Sequence, residues 1–307
     1  MHSPVSWISF VRSHRDAPPA CGDLGCSSTR KLWRRFRWRH GAIRLHDSLY
    51  CAPSCFESAA RQQFTRLCLV GTPAPPVRHR VPLGLLMISR GHLTNQQLRL
   101  ALEAQQADGC RRLGEWLEKL GFATEHQVTA ALAQQWARPM LASKAACDAG
   151  CLRLLPYHLL EASRILPVQF VQSTRIFHLA FADGIDYGAL HAIEQMLDCR
   201  TQACLATRTA VGQALHLIGH ERRPRELLFE GWRDAAEMAR ITCGYALKLG
   251  AEAVRLASCA GFIWARLSTN ADVANLLFRR PAQTPGAANV DRCVPDTPLS
   301  ITGQSWQ

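Results

Sequence analysis

Between residues 81 and 135 the apolar positions fall at helical spacing in four short runs. Leu83, Leu86 and Met87 share one face of a first helix, and Leu113, Trp116 and Leu117 share the same face of another 30 positions later. Gly91 and Gly121 stand where each of these helices must stop, at a position that favours a left-handed residue. Thr94 with Gln97, and Thr124 with Gln127, form T-x-x-Q capping boxes that start a second helix in each run. The inward faces of those helices are Leu98, Ala101, Leu102 and Gln105, then Val128, Ala131, Leu132 and Gln135. Pro82–Gln105 aligns on Arg112–Gln135 without gaps, and eight of the 24 pairs are identical, including Leu83/Leu113, Gly84/Gly114 and Gln105/Gln135. Residue frequencies alone would give roughly one or two matches. The segment is a tandem helical hairpin, expected to pack as a four-helix unit.

Downstream the period changes. A helix over 154–162 is interrupted near Pro156; Ile165 to Val171 and Arg175 to Ala182 read as strands joined tightly at Ser173-Thr174. Tyr187 to Leu197 reads as a helix, Thr201 to Ala206 as a third strand and Thr209 to Ile218 as a closing helix, together a small α/β subdomain. Further on, Asp234 caps a helix that runs to Leu249 with Met238, Ile241 and Tyr245 inward and Gly250 at its end. Ala253 to Ser258 and Phe262 to Leu267 alternate as a hairpin around Ala260-Gly261, and Asp272 to Phe278 is expected to be a last helix. Segments rich in Pro, Ser and cations, among them Gly71-Thr-Pro-Ala-Pro-Pro76, punctuate these blocks. The expected organisation is a disordered 1–20, a unit at 21–70, a linker at 71–80, the repeat domain at 81–222, a small α+β interaction domain at 225–280 and a disordered tail at 281–307. The fold class is α+β: a tandem helical-hairpin repeat plus a small α/β subdomain, preceded by a possible treble-clef zinc finger and followed by a small α+β module.

At 307 residues the chain holds two or three domains, and 48% hydrophobic residues suffice for buried cores. No run is apolar enough to span a bilayer; the stretch 241–267 is broken by Lys248, Glu252, Arg255 and Arg266. The net charge of +12 is concentrated early, since residues 1–80 hold 13 of the 36 Lys+Arg and only 4 of the 24 Asp+Glu. Thirteen cysteines follow no secretory signal, which implies a reducing, cytoplasmic setting where clustered thiols point to metal. Cys21-x4-Cys26 and Cys51-x3-Cys55 bracket a strand-like 42–50, and the second pair opens a helix over 54–67. Two short-spaced thiol pairs around a hairpin and a helix are how treble-clef zinc sites are built, with Cys21, Cys26, Cys51 and Cys55 as ligands and His46 or Cys68 as replacements. Arg34, Arg35, Arg37 and Arg39 interleave with Trp33, Phe36 and Trp38, which opens the alternative of a zinc-finger regulator that binds nucleic acid. In the block at 225–280 no paired carboxylates, Ser/His/Asp set or metal-spaced histidines suggest catalysis, and a protein-binding module is expected there.

The doubled R-L-G-x-x-L/W-L motif, the Leu154-Leu-Pro segment, Ile165-Leu-Pro-Val and His178-Leu-Ala-Phe-Ala-Asp-Gly-Ile-Asp186 together resemble the MshE-type N-terminal domain. That family precedes the ATPase core of type II secretion and type IV pilus assembly motors. The resemblance covers about residues 81–220 and implies binding of cyclic di-GMP, or docking to a secretion or pilus component. It further implies a ligand set of Leu83, Gly84, Leu86, Leu102 and Gln105 in the first copy, matched by Arg112, Leu113, Gly114, Trp116, Leu132 and Gln135 in the second. In such a motif the arginine pairs with a guanine edge, Leu-Gly brings backbone N–H groups toward phosphate and the apolar residues flank the base. The first copy is incomplete, because Pro82 stands where the second has Arg112; Arg80 or Arg90 is the available substitute. No G-x-x-x-x-G-K-[ST] occurs in the sequence, so the resemblance implies a sensing or docking module without a motor: a non-enzymatic adaptor.

Overall fold

The computed structural model describes residues 21–26, 42–69, 80–109, 111–142, 148–152, 154–219 and 225–280. The expected disorder at 1–20 and 281–307, most of the linker at 71–80 and the Arg/Trp stretch at 33–39 lie outside them. A turn at residues 21–26 leads the described chain, followed by a short hairpin, β1 (Ile43–Leu45) and β2 (Ser48–Tyr50), and by helix α1 (Pro53–Leu69). The repeat supplies α2 (Leu83–Ser89), α3 (Asn95–Asp108), α4 (Leu113–Lys119) and α5 (Glu125–Gln135). The α/β subdomain contains α6 (Ala149–Leu152), α7 (Tyr157–Ser163), β3 (Ile165–Val171), β4 (Ile176–Phe181), α8 (Tyr187–Leu197), β5 (Arg200–Leu205) and α9 (Arg208–Gly219). β6 (Arg225–Phe229), α10 (Ala235–Leu249), β7 (Ala253–Cys259), β8 (Phe262–Ser268) and β9 (Val273–Arg279) complete the fold.

Helix punctuation in the repeat is as expected. Gly91 and Gly121 adopt φ of 71° and 70°, and both T-x-x-Q capping boxes close reciprocally at Thr94/Gln97 and Thr124/Gln127. The first helix of each copy packs against the second helix of the other, α2 on α5 and α4 on α3, around a shared core of Met87, Leu93, Ala101, Leu117, Val128 and Ala131. In the α/β subdomain β3 and β4 are antiparallel while β4 and β5 are parallel, as a helical crossover through α8 requires.

The sequence suggests two separate units at 21–70 and 225–280; the strand pairing corrects this. A single six-stranded sheet runs β2-β1-β7-β8-β9-β6, in which β1 pairs parallel to β7 through Arg44↔Ala253 and Leu45↔Val254. Helix α1 lies beside α10 on one face of that sheet, where Phe56, Phe64, Met238 and Ala239 cover Val254, Ile263, Leu276 and Phe278. The opposite face carries Ala257, Phe262, Trp264 and Leu277, which share a core with Ile193 and Met196 of α8. The repeat domain is therefore inserted into a sheet domain assembled from the segments on either side of it. A second correction concerns residues 272–278, which form strand β9 rather than a helix. Ala274, Leu276 and Phe278 face the α1/α10 layer while Asn275 and Leu277 face the other, and a strand buried on both sides is a continuous apolar run whose period gives no warning. Among the described residues no helix is long and apolar enough to cross a membrane.

Candidate functional site

Two constellations carry chemistry. The first is the repeat, whose two copies are locked together reciprocally at their ligand-motif positions. Gln105 Nε2 donates to the Arg111 carbonyl at 3.2 Å, and its equivalent Gln135 Nε2 donates to the Val81 carbonyl at 2.7 Å. Each glutamine thus holds the residue just before the first helix of the other copy, as a two-fold arrangement demands. Pro82 and Arg112 occupy the same place, the extended N-cap residues of α2 and α4. Their carbonyls accept the same first helical bond, from Leu86 and Trp116 respectively, so Pro82 removes a guanidinium and an N–H without disturbing the helix start.

The remaining predicted ligand residues divide between surface and core. Arg90, Leu102 and Arg112 are exposed, whereas Gly84 and Leu86 are buried, and Leu83, Leu113, Trp116 and Leu132 pack half-buried against the core of the repeat. Gly84 and Gly114 have a packing reason of their own. A Cβ there would stand 2.5 Å from Leu98 Cδ1 and 2.8 Å from Val128 Cγ1, closer than atoms can approach. Arg112 Nη1 donates to the Asp183 carbonyl at 2.9 Å, on the loop that enters α8. Asp183 also accepts from Arg164 at 3.0 Å, and Arg208 near it binds Glu115 at 3.1 Å and Glu118. The Glu118 carboxyl is pushed up by burial and held back by Arg208. Arg80 stacks on the ring of Trp136, 3.3 Å from its centroid, beside Gly184 and Tyr187. Trp136 was not legible as part of this constellation; its signal was its position immediately after Gln135.

The second constellation is the thiol cluster. The Sγ atoms of Cys21, Cys26, Cys51 and Cys55 all lie within 4.8 Å of one another, with Cys26 and Cys51 at 3.5 Å. The turn that carries Cys21 and Cys26 is pinned to the hairpin by Gly22 N–H donating to the Leu49 carbonyl at 2.8 Å, while Cys51 directly follows β2 and Cys55 lies in the first turn of α1. Burial, with the neighbouring thiols of Cys26 and Cys21, pushes Cys51 up to about 11, and burial with Asp23 and Cys26 pushes Cys55 up as well. Neither replacement ligand belongs to the group: His46 Nε2 accepts from the Leu256 N–H at 3.3 Å, and Cys68 lies at the far end of α1.

No family model and no curated protein matches this sequence. Among solved structures, that of MshE with cyclic di-GMP is 30% identical with a TM-score of 0.40, covering 45% of this chain and 99% of that one. The N-terminal domain of XpsE is similar at 18% identity with a TM-score of 0.35, covering 44% of this chain and 91% of that one. A second crystal form of the XpsE domain gives 17% identity, a TM-score of 0.29, and coverage of 46% and 98%. Over slightly less than half of its length, then, the chain is similar to the MshE and XpsE N-terminal domains, and the similar part is the one that carries the doubled motif.

Proposed function

We propose that this chain is a non-enzymatic cytoplasmic adaptor whose inserted domain binds cyclic di-GMP and couples it to a type II secretion or type IV pilus component. The observation that carries the reading is the reciprocal pair Gln105–Arg111 and Gln135–Val81, which relates the two motif copies by an approximate two-fold suited to a two-fold ligand. Arg112, exposed at the start of α4 and bonded to the Asp183 carbonyl, is the guanine-reading arginine of the second half-site; Arg80, stacked on Trp136 two residues before Pro82, is the cation offered to the first. Leu102 and Arg90 complete the exposed lining, and the glutamines and buried leucines set its shape. The MshE of the solved structure carries cyclic di-GMP, which supports the same ligand class here. We further propose that Cys21, Cys26, Cys51 and Cys55 hold one zinc ion. Four soft thiolates gathered at this spacing match the tetrahedral demand of zinc, for which Zn–S bonds of about 2.3 Å put the sulfurs about 3.8 Å apart.

Calorimetry with cyclic di-GMP tests the ligand. Arg112→Ala is expected to weaken binding about 5- to 150-fold, the loss of a charge-assisted contact worth roughly 1–3 kcal/mol. Pro82→Arg is expected to tighten it, since the extended backbone at that N-cap (φ −54°, ψ 139°) accepts arginine without strain. Absence of binding by the parent and both variants overturns the ligand assignment and leaves docking as the role of the repeat.

A further inference from the structure

The thiol cluster sits where the split sheet domain must be closed. The segment it organises, from the turn at 21–26 to α1, has little to hold it by itself. Strands β1 and β2 are three residues each, and an isolated hairpin of that length is at best marginal in water. Yet this segment supplies the parallel neighbour of β7 and half of a helical layer. Arg44 N–H donates to the Glu252 carbonyl and His46 N–H to the Val254 carbonyl, each at 2.9 Å. Phe56 and Phe64 are fully buried, and Phe64 meets Phe278 edge to face at 5.8 Å. Without the segment, β7 becomes an open edge and the buried row Val254, Ile263, Ala265 and Phe278 loses part of its cover.

We infer that a zinc-class divalent cation on Cys21, Cys26, Cys51 and Cys55 is the clasp of this split domain, so that metal occupancy governs the folding of residues 225–280 while the inserted repeat stays folded. The inference rests on the metal assignment proposed above and extends it to a segment that supplies no ligand. A soft cation joining the turn to the start of α1 closes the loop between Cys26 and Cys51 before folding does. That fixes the angle at which α1 leaves the hairpin, and thereby delivers Phe56 and Phe64 to the face of β7–β9. The repeat has its own core, which shares no residue with the sheet layer under α1.

The test is hydrogen–deuterium exchange of the full chain, metal-loaded, after chelation and after zinc is restored, alongside direct measurement of bound zinc and the variant Cys26→Ser, whose thiol is half-exposed. Removal of zinc is expected to speed exchange in α10 and β7–β9 by about tenfold or more while α2–α5 keep their protection, reversibly on re-addition. If zinc binds at one equivalent but its removal leaves α10 and β7–β9 protected, the clasp is overturned and the metal site stands. If the purified and zinc-incubated protein both hold less than about half an equivalent, the site and the clasp fall together. Loss of protection through α2–α5 as well also overturns the inference, since the metal then acts on the whole chain rather than on one split domain.

Discussion

At the scale of single residues, equivalent positions in the two copies are not energetically equivalent. Both Gly84 and Gly114 are too close to a facing side chain for a Cβ, but the facing atoms differ. Leu98 opposite Gly84 is half-buried and can swing outward, whereas Val128 opposite Gly114 is 4% exposed and stiff at χ1. Gly114→Ala is therefore expected to destabilise the chain by roughly 1–3 kcal/mol through overpacking. Gly84→Ala should be close to neutral, because the higher helix propensity of alanine, worth about 0.8–1.0 kcal/mol, offsets a clash that Leu98 can relieve. Denaturant midpoints of the two variants decide this; equal losses would show that side-chain stiffness does not control the repeat core. The sequence made Gly91 and Gly121 readable as helix stops because a left-handed residue has a local signature. The tight approach at Gly84 and Gly114 is set by neighbours 14 residues on, which no single position reveals, so the motif alone left hairpin packing and backbone approach to phosphate as equal alternatives.

Among the elements, the junction of β1 with β7 has a built-in pH dependence. His46 closes the β1–β2 turn at φ 50° and accepts the Leu256 N–H on Nε2, which requires a neutral ring. Burial, aided by the nearby Arg255 guanidinium and opposed by Asp47, holds its pKa below the usual 6.5. The folded chain thus takes up this proton less readily than the unfolded one. The corresponding stability is complete above about pH 6.5 and is lost as pH falls below it toward the folded-state value. Amide exchange at Leu256 is expected to quicken, relative to β8, as pH is lowered from 7.5 to 5 after correction for intrinsic rates, and His46→Gln should flatten that trend. A trend unchanged in His46→Gln would assign the pH response to another group. Elements with strong periodicity or caps were legible: the four repeat helices, α8, α10 and the β7–β8 hairpin fall close to their expected limits. β9 was not, because Ala274 to Phe278 is buried on both faces, and burial on both sides erases the alternation that distinguishes strand from helix.

Over the whole molecule, the inserted domain and the split sheet are joined by polar contacts whose partners are far apart in sequence. Arg255 reaches the Gln195 and Met196 carbonyls at the end of α8, and Arg266 donates to the Leu154 carbonyl at 2.7 Å. This is the level the sequence could not disclose, since a parallel pairing of Arg44 with Ala253 leaves no mark on either strand's own pattern. Glu226 on β6 is the most concentrated of these contacts. Its carboxylate accepts the Tyr157 and His158 N–H groups at 2.9 and 3.2 Å and the His158 Nδ1 at 2.6 Å, with the side chain only 5% exposed. It therefore does for α7 what a capping side chain does from within a helix, but from a strand of the other domain. Removing the carboxylate takes its acceptor from the first turn of α7 in a half-buried site, so Glu226→Ala is expected to cost roughly 1–3 kcal/mol. Glu226→Gln, which retains one acceptor oxygen, should cost less. If this contact couples the domains, limited proteolysis of Glu226→Ala will open near residues 153–157 while α2–α5 remain intact. If cleavage there is unchanged, the apolar contact of α8 with β7 holds the two domains together without help from Glu226.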